Sequence, residues 1–229
     1  MNMEKLSVPI AVVIAGALIA GALYFSNIKT PVKVAGNVPV ANATVSMRPV
    51  TIDDHILGNP NADVIIVEYS DPECPYCKTF HNTLRQIMNV YGKDGKVAWV
   101  YRHFPIDQLH SKSRNEAQAM ECANELGGVG KFWEFTNALY DTTNSNNSLD
   151  PAELPKIAKN VGLDVTAFNS CLSSGKYAAK VEADYQDAIK AGGIGTPNSI
   201  ILSKDGTKTP VEGAVSYEAL KNIIDALLK

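Results

Sequence analysis

The sequence lacks an excess of positive charge. Its 229 residues carry 21 Lys and Arg against 24 Asp and Glu, which gives a formal net charge of −3. A general nucleic-acid-binding protein normally presents a basic face, so this balance argues against that class. Apolar residues make up 45% and charged residues 20% of the chain, which is typical of a globular protein and unlike a disordered one.

Cysteine is scarce, and only one pair is closely spaced. The four cysteines are Cys74, Cys77, Cys122 and Cys171. A zinc site would normally need a second close pair, but Cys122 and Cys171 each stand alone, with no histidine within five residues. A purely structural disulfide between Cys74 and Cys77 is also disfavoured, because so short a loop removes little chain entropy.

The run Cys74-Pro75-Tyr76-Cys77 instead favours thiol–disulfide exchange. This chemistry needs a thiolate that substrate can reach and a second thiol close enough to resolve the mixed disulfide. We expect a helix from Pro75 to about Tyr91, with proline at its first position. Cys74 then falls at the N-cap, where free amide groups and the helix dipole lower the pKa of a thiol. Cys77 lies one turn in and faces inward as the resolving thiol.

An uncharged apolar run extends from Leu6 to Phe25, roughly the 20 residues that a helix needs to cross a bilayer. We interpret residues 1–28 as an N-terminal transmembrane anchor, with the remainder of the chain outside. The alternative is a cleavable signal sequence, because Ala20-Gly21-Ala22 has the small-residue pattern of a cleavage site. Residues 29–50, which contain three prolines and show no helical period, are interpreted as a linker.

The remaining residues, 51–229, have an α/β pattern. The apolar run Asp63–Tyr69 predicts a strand buried on both faces, and Lys96–Tyr101 predicts a second strand after the cysteine-bearing helix. A parallel strand–helix–strand unit follows from this order. Two more strands and a final helix are predicted near the end of the chain: Asn198–Leu202, Lys208–Glu212 and Ser216–Leu228.

A long helical region separates these two groups of elements. Almost everything from Ser111 to Ala191 is helical in pattern, with a break at Gly127-Gly128 and another near Gly175. The segment Thr142–Ser148 consists only of Thr, Asn and Ser. We expect it to be an exposed loop.

Glu68 is the only charged residue between Val64 and Ser70, and it precedes Cys74 by six positions. A carboxylate on this apolar strand is expected to be partly buried beneath the cysteine motif, with a raised pKa. It could then accept the proton of Cys77 when that thiol attacks. The alternative is a strand-end acid that reaches solvent.

The tripeptide Gly195-Thr196-Pro197 directly precedes an apolar strand. Proline removes an amide donor at the start of a strand and is often cis in a tight connection, while glycine allows close approach of a backbone. Most such prolines are ordinary trans turns. About 120 residues after a Cys-Pro-x-Cys run, however, the tripeptide carries more weight.

Together these motifs resemble the thioredoxin superfamily, and within it the DsbA-like proteins with a helical insertion. The match covers about residues 53–229 and rests on these segments: Asp53–Pro60 leading into Val64–Tyr69, Ser70–Cys77, Tyr101–Pro105, Lys131–Phe135 and Gly195–Pro197. The resemblance implies a thioredoxin fold whose helical domain, about residues 107–191, is inserted after the first β-α-β unit.

The resemblance also implies individual roles. Glu68 matches the family's buried acid, and a cis Pro197 would face the nucleophile Cys74. Four residues would contact an extended substrate peptide: Pro75, Tyr76, Thr196 and Pro197. The backbone of Thr196 would pair with the peptide.

Cys122 and Cys171 look like the extra pair that some DsbA-like proteins join as a second disulfide in the helical domain. The alternative is a pair of buried free thiols, which behave as small apolar side chains.

The dipeptide between the active cysteines is Pro75-Tyr76, whereas the best-known strong oxidases of the family have Pro-His. Tyr76 adds no positive charge beside the thiolate, which predicts a less acidic Cys74 and a less oxidising protein. We interpret the chain as a membrane-anchored, extracytoplasmic dithiol oxidase, in the periplasm or at the cell exterior. It would act on reduced or unfolded exported polypeptides, be reoxidised by a membrane quinone-linked partner, and need no cofactor or metal.

Two other functions fit less well. A disulfide reductase or isomerase could use the same fold. A non-catalytic copper- or peptide-binding module would not need Glu68, and methionine or histidine should crowd its motif. The nearest histidine is His81, on the following helix turn.

Overall fold

A computed structural model describes residues 45–229 of the chain. The predicted transmembrane anchor at residues 1–28 lies outside the described residues, as does the predicted linker up to residue 44. Within residues 45–229, none of the helices combines the length and the apolar character needed to cross a membrane.

A five-stranded sheet with the order β1-β3-β2-β4-β5 forms the centre of the described region. Its strands are β1 His55–Gly58, β2 Val64–Ser70, β3 Val97–His103, β4 Asn198–Ser203 and β5 Lys208–Glu212. The central strand β2 runs parallel to β3 and antiparallel to β4, while β1 pairs antiparallel to β3 at the edge. Strands β2 and β3 are almost wholly buried, as their continuous apolar sequence predicts.

Six α-helices surround the sheet in this part of the chain: α1 Pro75–Ile87, α2 Ser113–Thr142, α3 Glu153–Asn160, α4 Val165–Ser174, α5 Ala178–Lys190 and α6 Tyr217–Leu227. Helix α1 continues into a single π-helical turn, Met88–Gly92. Helices α2 to α5 lie between β3 and β4, in the region of the predicted insertion. The predicted break in α2 is confirmed at Gly128, where φ is 73°.

Each face of the sheet has its own apolar core. One face packs against α1, α6 and the inserted helices with alternate residues of β2 and β3: Val64, Ile66, Val97, Trp99 and Tyr101. The opposite face packs against α5 and residues 45–50 with the intervening residues: Val67, Tyr69 and Val100. Because side chains alternate along a strand, Glu68 and Ser70 lie on the first face. This places them beneath the cysteine-bearing helix.

Residues 45–50, at the end of the segment interpreted as a linker, lie against the domain. The backbone N–H of Arg48 donates to Asp187 at 2.7 Å, and its guanidinium pairs with Asp54 at 2.9 Å. The fully buried Arg102 also donates to Asp54 at 2.9 Å and to Asp187 at 2.8 Å. Since each buried charge has a partner of opposite sign, this network holds the segment to β3 and α5.

Candidate active site

Cys74 is the N-cap of α1, and Pro75 occupies the first turn of the helix, as the sequence predicts. The Cys74 side chain is nearly buried at 5% exposure, and Cys77, one turn further, is fully buried. Both thiols are unbridged. Between them in the sequence lie Pro75, which is exposed, and Tyr76, which is 67% exposed, so these two residues are the accessible part of the motif.

The environment of Cys74 favours its thiolate. The hydrogen bond with Cys77 is the largest cause of a lowered pKa at Cys74, and it outweighs burial, which acts in the opposite direction. The Thr196 side chain and the backbone amides of Tyr76 and Cys77 add to this effect, and the pKa of Cys74 falls to about 6. The Cys74 sulfur lies 3.5 Å from the Thr196 carbonyl oxygen. The Thr196–Pro197 peptide bond is cis. The tripeptide and the cysteine motif, far apart in sequence, therefore meet at one sulfur atom.

The environment of Cys77 instead favours its protonated thiol. Burial, the hydrogen bond with Cys74 and the nearby charges of Cys74 and Glu68 raise the pKa of Cys77 well above its usual value. One backbone contact acts against this, since the N–H of Asp71 points to the Cys77 sulfur at 3.4 Å. In the reduced pair, Cys74 therefore carries the negative charge and Cys77 keeps its proton.

Glu68 lies under this pair with no solvent exposure, which rules out the alternative of a solvent-reaching acid. The Ser70 hydroxyl donates to one carboxylate oxygen at 2.8 Å, and the Trp99 indole N–H donates to the other at 3.0 Å. Burial outweighs both hydrogen bonds, and the charge of Cys74 acts in the same direction as burial, so the pKa of Glu68 rises to about 8. Glu68 is therefore mostly protonated at neutral pH.

Sequence analysis did not identify the polar side chains around this acid. The Tyr140 hydroxyl, from α2, lies 3.0 Å from the Ser70 hydroxyl and 3.1 Å from that of Tyr101. Ser70 follows Glu68 by two residues on one strand, so strand alternation could have placed both on the same face. Tyr140 carries no comparable signal, because only the folded insertion brings it here.

Glu73 connects the cysteine motif to the segment Thr142–Ser148, which was expected to be an exposed loop. That expectation is wrong in part, because Thr143 is fully buried. The buried Glu73 carboxylate accepts hydrogen bonds from the N–H groups of Asn147 at 2.8 Å and Leu149 at 3.2 Å. A buried carboxylate needs such donors, and the loop supplies them from its backbone.

Comparison with known proteins decides the family. A family model described as Thioredoxin matches residues 50–226. The chain belongs to the thioredoxin family. The crystal structure of DsbA2 from Pseudomonas aeruginosa superposes with a TM-score of 0.65 at 26% identity, over 80% of this chain and 97% of that one. Within the thioredoxin family the chain is thus DsbA-like, and the predicted thioredoxin fold with its helical insertion is confirmed.

Two curated relatives have different names. A putative protein-disulfide oxidoreductase, RP025 of Rickettsia prowazekii, is 28% identical over 184 residues, which cover 75% of this thioredoxin-family protein and 65% of the relative. Na(+)/H(+) antiporter NhaA 1 of Mycobacterium sp. (strain KMS) is 31% identical over 178 residues. That match covers 76% of this chain but spans only 28% of the antiporter's length.

The other two cysteines of this thioredoxin-family protein form a disulfide within the helical insertion. Cys122 in α2 and Cys171 in α4 are joined across a sequence separation of 49 residues. Both are buried, at 1% and 6% exposure. This bridge connects two helices of the insertion, whereas Cys74 lies at the start of α1.

One group of side chains in the described region has the composition of a metal site. His55, His103 and Glu121 are buried, and their potential ligand atoms lie within 4.8 Å of one another. Both imidazoles already contact one Glu121 oxygen, at 2.8 and 2.9 Å, and the Lys180 ammonium lies 3.4 Å from it. Burial raises the pKa of Glu121, but hydrogen bonds from both histidines outweigh it and hold the pKa well below its usual value. The Glu121 carboxylate is thus already paired with both imidazoles and with the Lys180 ammonium. We therefore describe this group as an ion-paired core cluster.

Proposed function

We propose that this thioredoxin-family protein is an extracytoplasmic dithiol oxidase that forms disulfides in exported polypeptides. The difference between its two active thiols carries the proposal: the pKa of Cys74 is lowered to about 6, while that of Cys77 is raised. The Cys74 thiolate exists only when its bond to Cys77 is open, so stabilising it stabilises the reduced form and makes the disulfide form an oxidant. For each unit by which the pKa of Cys74 lies below the ambient pH, the reduced form gains about 1.4 kcal/mol, or about 30 mV.

The reaction begins from the oxidised Cys74–Cys77 pair. A substrate thiolate attacks the Cys74 sulfur, forms a mixed disulfide and expels Cys77 as a thiolate. Glu68, with a pKa of about 8, holds a proton at neutral pH and gives it to Cys77. A second substrate thiolate attacks the substrate sulfur of the mixed disulfide and releases the Cys74 thiolate. The substrate has then lost two electrons and gained a disulfide.

Substrate is proposed to lie along the surface that Thr196 and Tyr76 form beside Cys74. The Thr196 carbonyl is 3.5 Å from the Cys74 sulfur, so a peptide joined to that sulfur would pass the Thr196 backbone. Tyr76 is 67% exposed and offers an apolar ring to the same peptide. Pro75 and the cis Pro197 fix the backbones on either side.

Two observations support a location outside the cytosol. The uncharged run from Leu6 to Phe25 has the length of a membrane anchor. The disulfide between Cys122 and Cys171 is typical of an oxidising compartment. Protease added to intact cells with a permeabilised outer layer should digest residues 45–229, and the mass of the native protein reports whether residues 1–28 remain attached. Full protection of the domain until the membrane is dissolved would overturn this location.

The proposed direction of electron flow is tested with the purified protein. Its thiolate ultraviolet absorbance is titrated against pH, and the fraction oxidised is measured by mass-tagging thiols in glutathione buffers of graded potential. We expect a transition near pH 6 and a reduction potential well above the roughly −270 mV of thioredoxin.

A Cys74 pKa near the free-thiol value of about 8.5, together with a potential as low as that of thioredoxin, would contradict the oxidase and favour a reductase. A protein that reshuffles wrong disulfides in a scrambled substrate, but does not form disulfides in a reduced one, would indicate an isomerase. Stoichiometric binding of copper without thiol exchange would indicate the non-catalytic module.

A further inference from the structure

Asp71 is a fully buried acid between the end of β2 and the start of α1. Its backbone contacts both active cysteines. The Asp71 carbonyl accepts a hydrogen bond from the Cys74 N–H at 3.1 Å, and the Asp71 N–H donates to the Cys77 sulfur at 3.4 Å. Because β2 ends at Ser70, this N–H is directed at a sulfur atom and not at a neighbouring strand.

Hydrogen bonds surround the Asp71 carboxylate on both of its oxygens. One oxygen accepts from the Glu73 N–H at 2.8 Å and from the Ser113 hydroxyl. The other accepts from the Ile106 N–H at 2.7 Å and lies 2.8 Å from Nδ1 of His110. A carboxylate can only accept, so the His110 Nδ1 carries a proton in this contact. Four contacts of this kind leave the side chain little freedom to rotate.

The partners of this carboxylate come from a distant part of the chain. Ile106 and His110 lie in the connection between β3 and α2, and Ser113 is the first residue of α2. Pro72 restrains Asp71 from within its own segment, because a residue before proline is largely confined to extended backbone. The direction of the Asp71 N–H is thus fixed from both sides.

The Cys77 sulfur needs a hydrogen-bond donor during thiol exchange. When a substrate thiolate attacks the Cys74 sulfur, Cys77 leaves as a thiolate in a position with no solvent exposure. A buried charge without a donor is costly. An N–H that already points at the sulfur stabilises this charge without reorganisation, before the proton of Glu68 reaches it.

We propose that Asp71 is a positioning residue for the resolving thiol: its carboxylate, held by the connection between β3 and α2, fixes its own N–H as the donor to the Cys77 thiolate. This inference rests on the proposed function, because it concerns the thiolate that exchange at Cys74 expels. The bond between Cys74 and Cys77 breaks as the bond between Cys74 and the substrate sulfur forms. Cys77 keeps the electron pair, and Asp71 gives up neither a proton nor an electron.

The substitution Asp71→Asn distinguishes this role from that of a nearby charge. An asparagine side chain accepts at only one of its two terminal atoms, so in either orientation a backbone N–H, that of Glu73 or of Ile106, loses its acceptor. If the N–H of residue 71 then turns away, the pKa of Cys77 should rise. Removal of a negative charge near a thiolate should instead lower that pKa. The two roles therefore predict changes of opposite sign.

The first experiment follows the two thiol steps in the full-length reduced protein at about pH 8, where Cys74 is ionised. Oxidised glutathione is added, and acid-quenched samples are analysed by mass spectrometry for the adduct at Cys74 and for its loss to the Cys74–Cys77 disulfide. We expect Asp71→Asn to slow the loss of the adduct roughly 3- to 10-fold, because a higher pKa leaves less Cys77 thiolate and greater nucleophilicity offsets only part of this. Formation of the adduct should stay within about twofold of wild type. A variant that loses the adduct as fast as wild type, or faster, would overturn the proposal.

Asp54→Asn is the matched control. Asp54 is also a buried aspartate, and it accepts from the Thr51 N–H at 2.9 Å and from the Arg102 side chain at 2.9 Å. Arg102 alternates with Tyr101 along β3, so this contact belongs to the face of the sheet that does not carry the cysteines. Asp54→Asn removes the same charge, and both thiol steps should stay within about twofold of wild type. Equal slowing in the two variants would show a general loss of structure and contradict the positioning role.

The wild-type chain allows a measurement that does not depend on how a variant folds. Cys74 is alkylated with iodoacetamide at about pH 6, where Cys77 keeps its proton, so that Cys77 becomes the only free thiol of the chain. NMR of protein with isotope-labelled aspartate and cysteine then follows the Asp71 amide proton and the Cys77 Cβ as the pH is raised. The amide proton should move downfield with the same midpoint as the Cβ signal, since a thiolate is a stronger acceptor than a thiol.

An Asp71 amide signal that does not respond while Cys77 ionises would overturn the positioning role, whatever the variants do. If Cys74 forms no glutathione adduct and resists alkylation, the proposed function itself fails. That result is distinct, because it concerns the attacking thiol and not the donor to Cys77.

Discussion

The two cysteine pairs of this thioredoxin-family protein differ in whether they are bridged and in where they lie on their helices. Cys74 and Cys77 are two residues apart at the start of α1, unbridged and unequal in acidity. Cys122 and Cys171 are bridged and buried within the helical insertion, 49 residues apart. The first pair lies at a helix N-terminus and the second lies inside helices α2 and α4.

The difference shows what makes a cysteine pair reactive. At a helix start the unpaired amide groups stabilise a thiolate. Beneath the Cys74–Cys77 pair lies a buried acid, Glu68, whose pKa is raised. Inside a helix the amides are already bonded to the preceding turn, so they offer no such stabilisation. A short loop makes the first bridge weak as a structural support, whereas a long loop makes the second one strong.

The largest effect is expected from Cys74→Ser, which should abolish thiol exchange because the attacked sulfur is lost. Exchange is measured as the rate at which a reduced two-thiol peptide becomes oxidised. Cys122→Ala should retain most of that rate. Loss of exchange in Cys122→Ala with activity kept in Cys74→Ser would reverse the assignment of the two pairs.

The double variant Cys122→Ala/Cys171→Ala should lose about 4 kcal/mol of unfolding free energy, since the closed loop of 49 residues no longer restricts the unfolded chain. Urea titration of the oxidised wild type and the variant measures this difference. The pKa of Cys74 should stay unchanged in the variant. A shift of that pKa by a unit or more would show that the second disulfide tunes the active pair.

Stability should fall with rising pH because of Glu68. In the folded protein the pKa of Glu68 is about 8, above its ordinary value of 4.5, so the folded state keeps a proton that the unfolded chain releases between these two pH values. The associated stabilisation is complete below about pH 4.5 and is lost as the pH rises through 8. Glu68→Gln removes this dependence.

Urea unfolding of reduced wild type and Glu68→Gln, at about pH 5 and about pH 9, measures the effect. The variant should gain a few kcal/mol relative to wild type at the higher pH. An equal difference at both values would mean that Glu68 is ionised in the folded protein throughout.

The smallest effect is expected from Tyr76→His. A protonated imidazole beside Cys74 should lower the pKa of that thiol further, but position 76 is 67% exposed, so solvent and salt screen the charge. We expect a shift of less than about one unit, seen in the thiolate absorbance at low pH and lost in high salt. Tyr76→Gln is the uncharged control and should leave the pKa in place.

Local patterns explain why much of the fold could be predicted. The apolar run of β2, the proline after Cys74 and the glycine that breaks α2 each act within a few residues, and the structure agrees with them. Strand β1 was not predicted, because four residues at a sheet edge show too little alternation.

Contacts between distant segments explain what could not be predicted. Composition alone made Thr142–Ser148 look exposed, but the carboxylate that binds this loop is Glu73, about 70 residues earlier. Tyr140 reaches Ser70 only because the insertion folds back over the sheet. Sequence patterns report which face a residue is on, but not which distant residue meets it there.

The contact of Trp99 with Glu68 makes the protein's own fluorescence sensitive to the charge of that acid. The chain contains two tryptophans, Trp99 and Trp133, whose rings lie 4.5 Å apart. All of its indole fluorescence therefore originates next to Glu68, to which Trp99 donates a hydrogen bond. A charge that appears 3.0 Å from an indole in a buried site acts at low dielectric, so it should change the emission strongly. The unlabelled protein thus contains its own optical probe of the proton beneath its active pair.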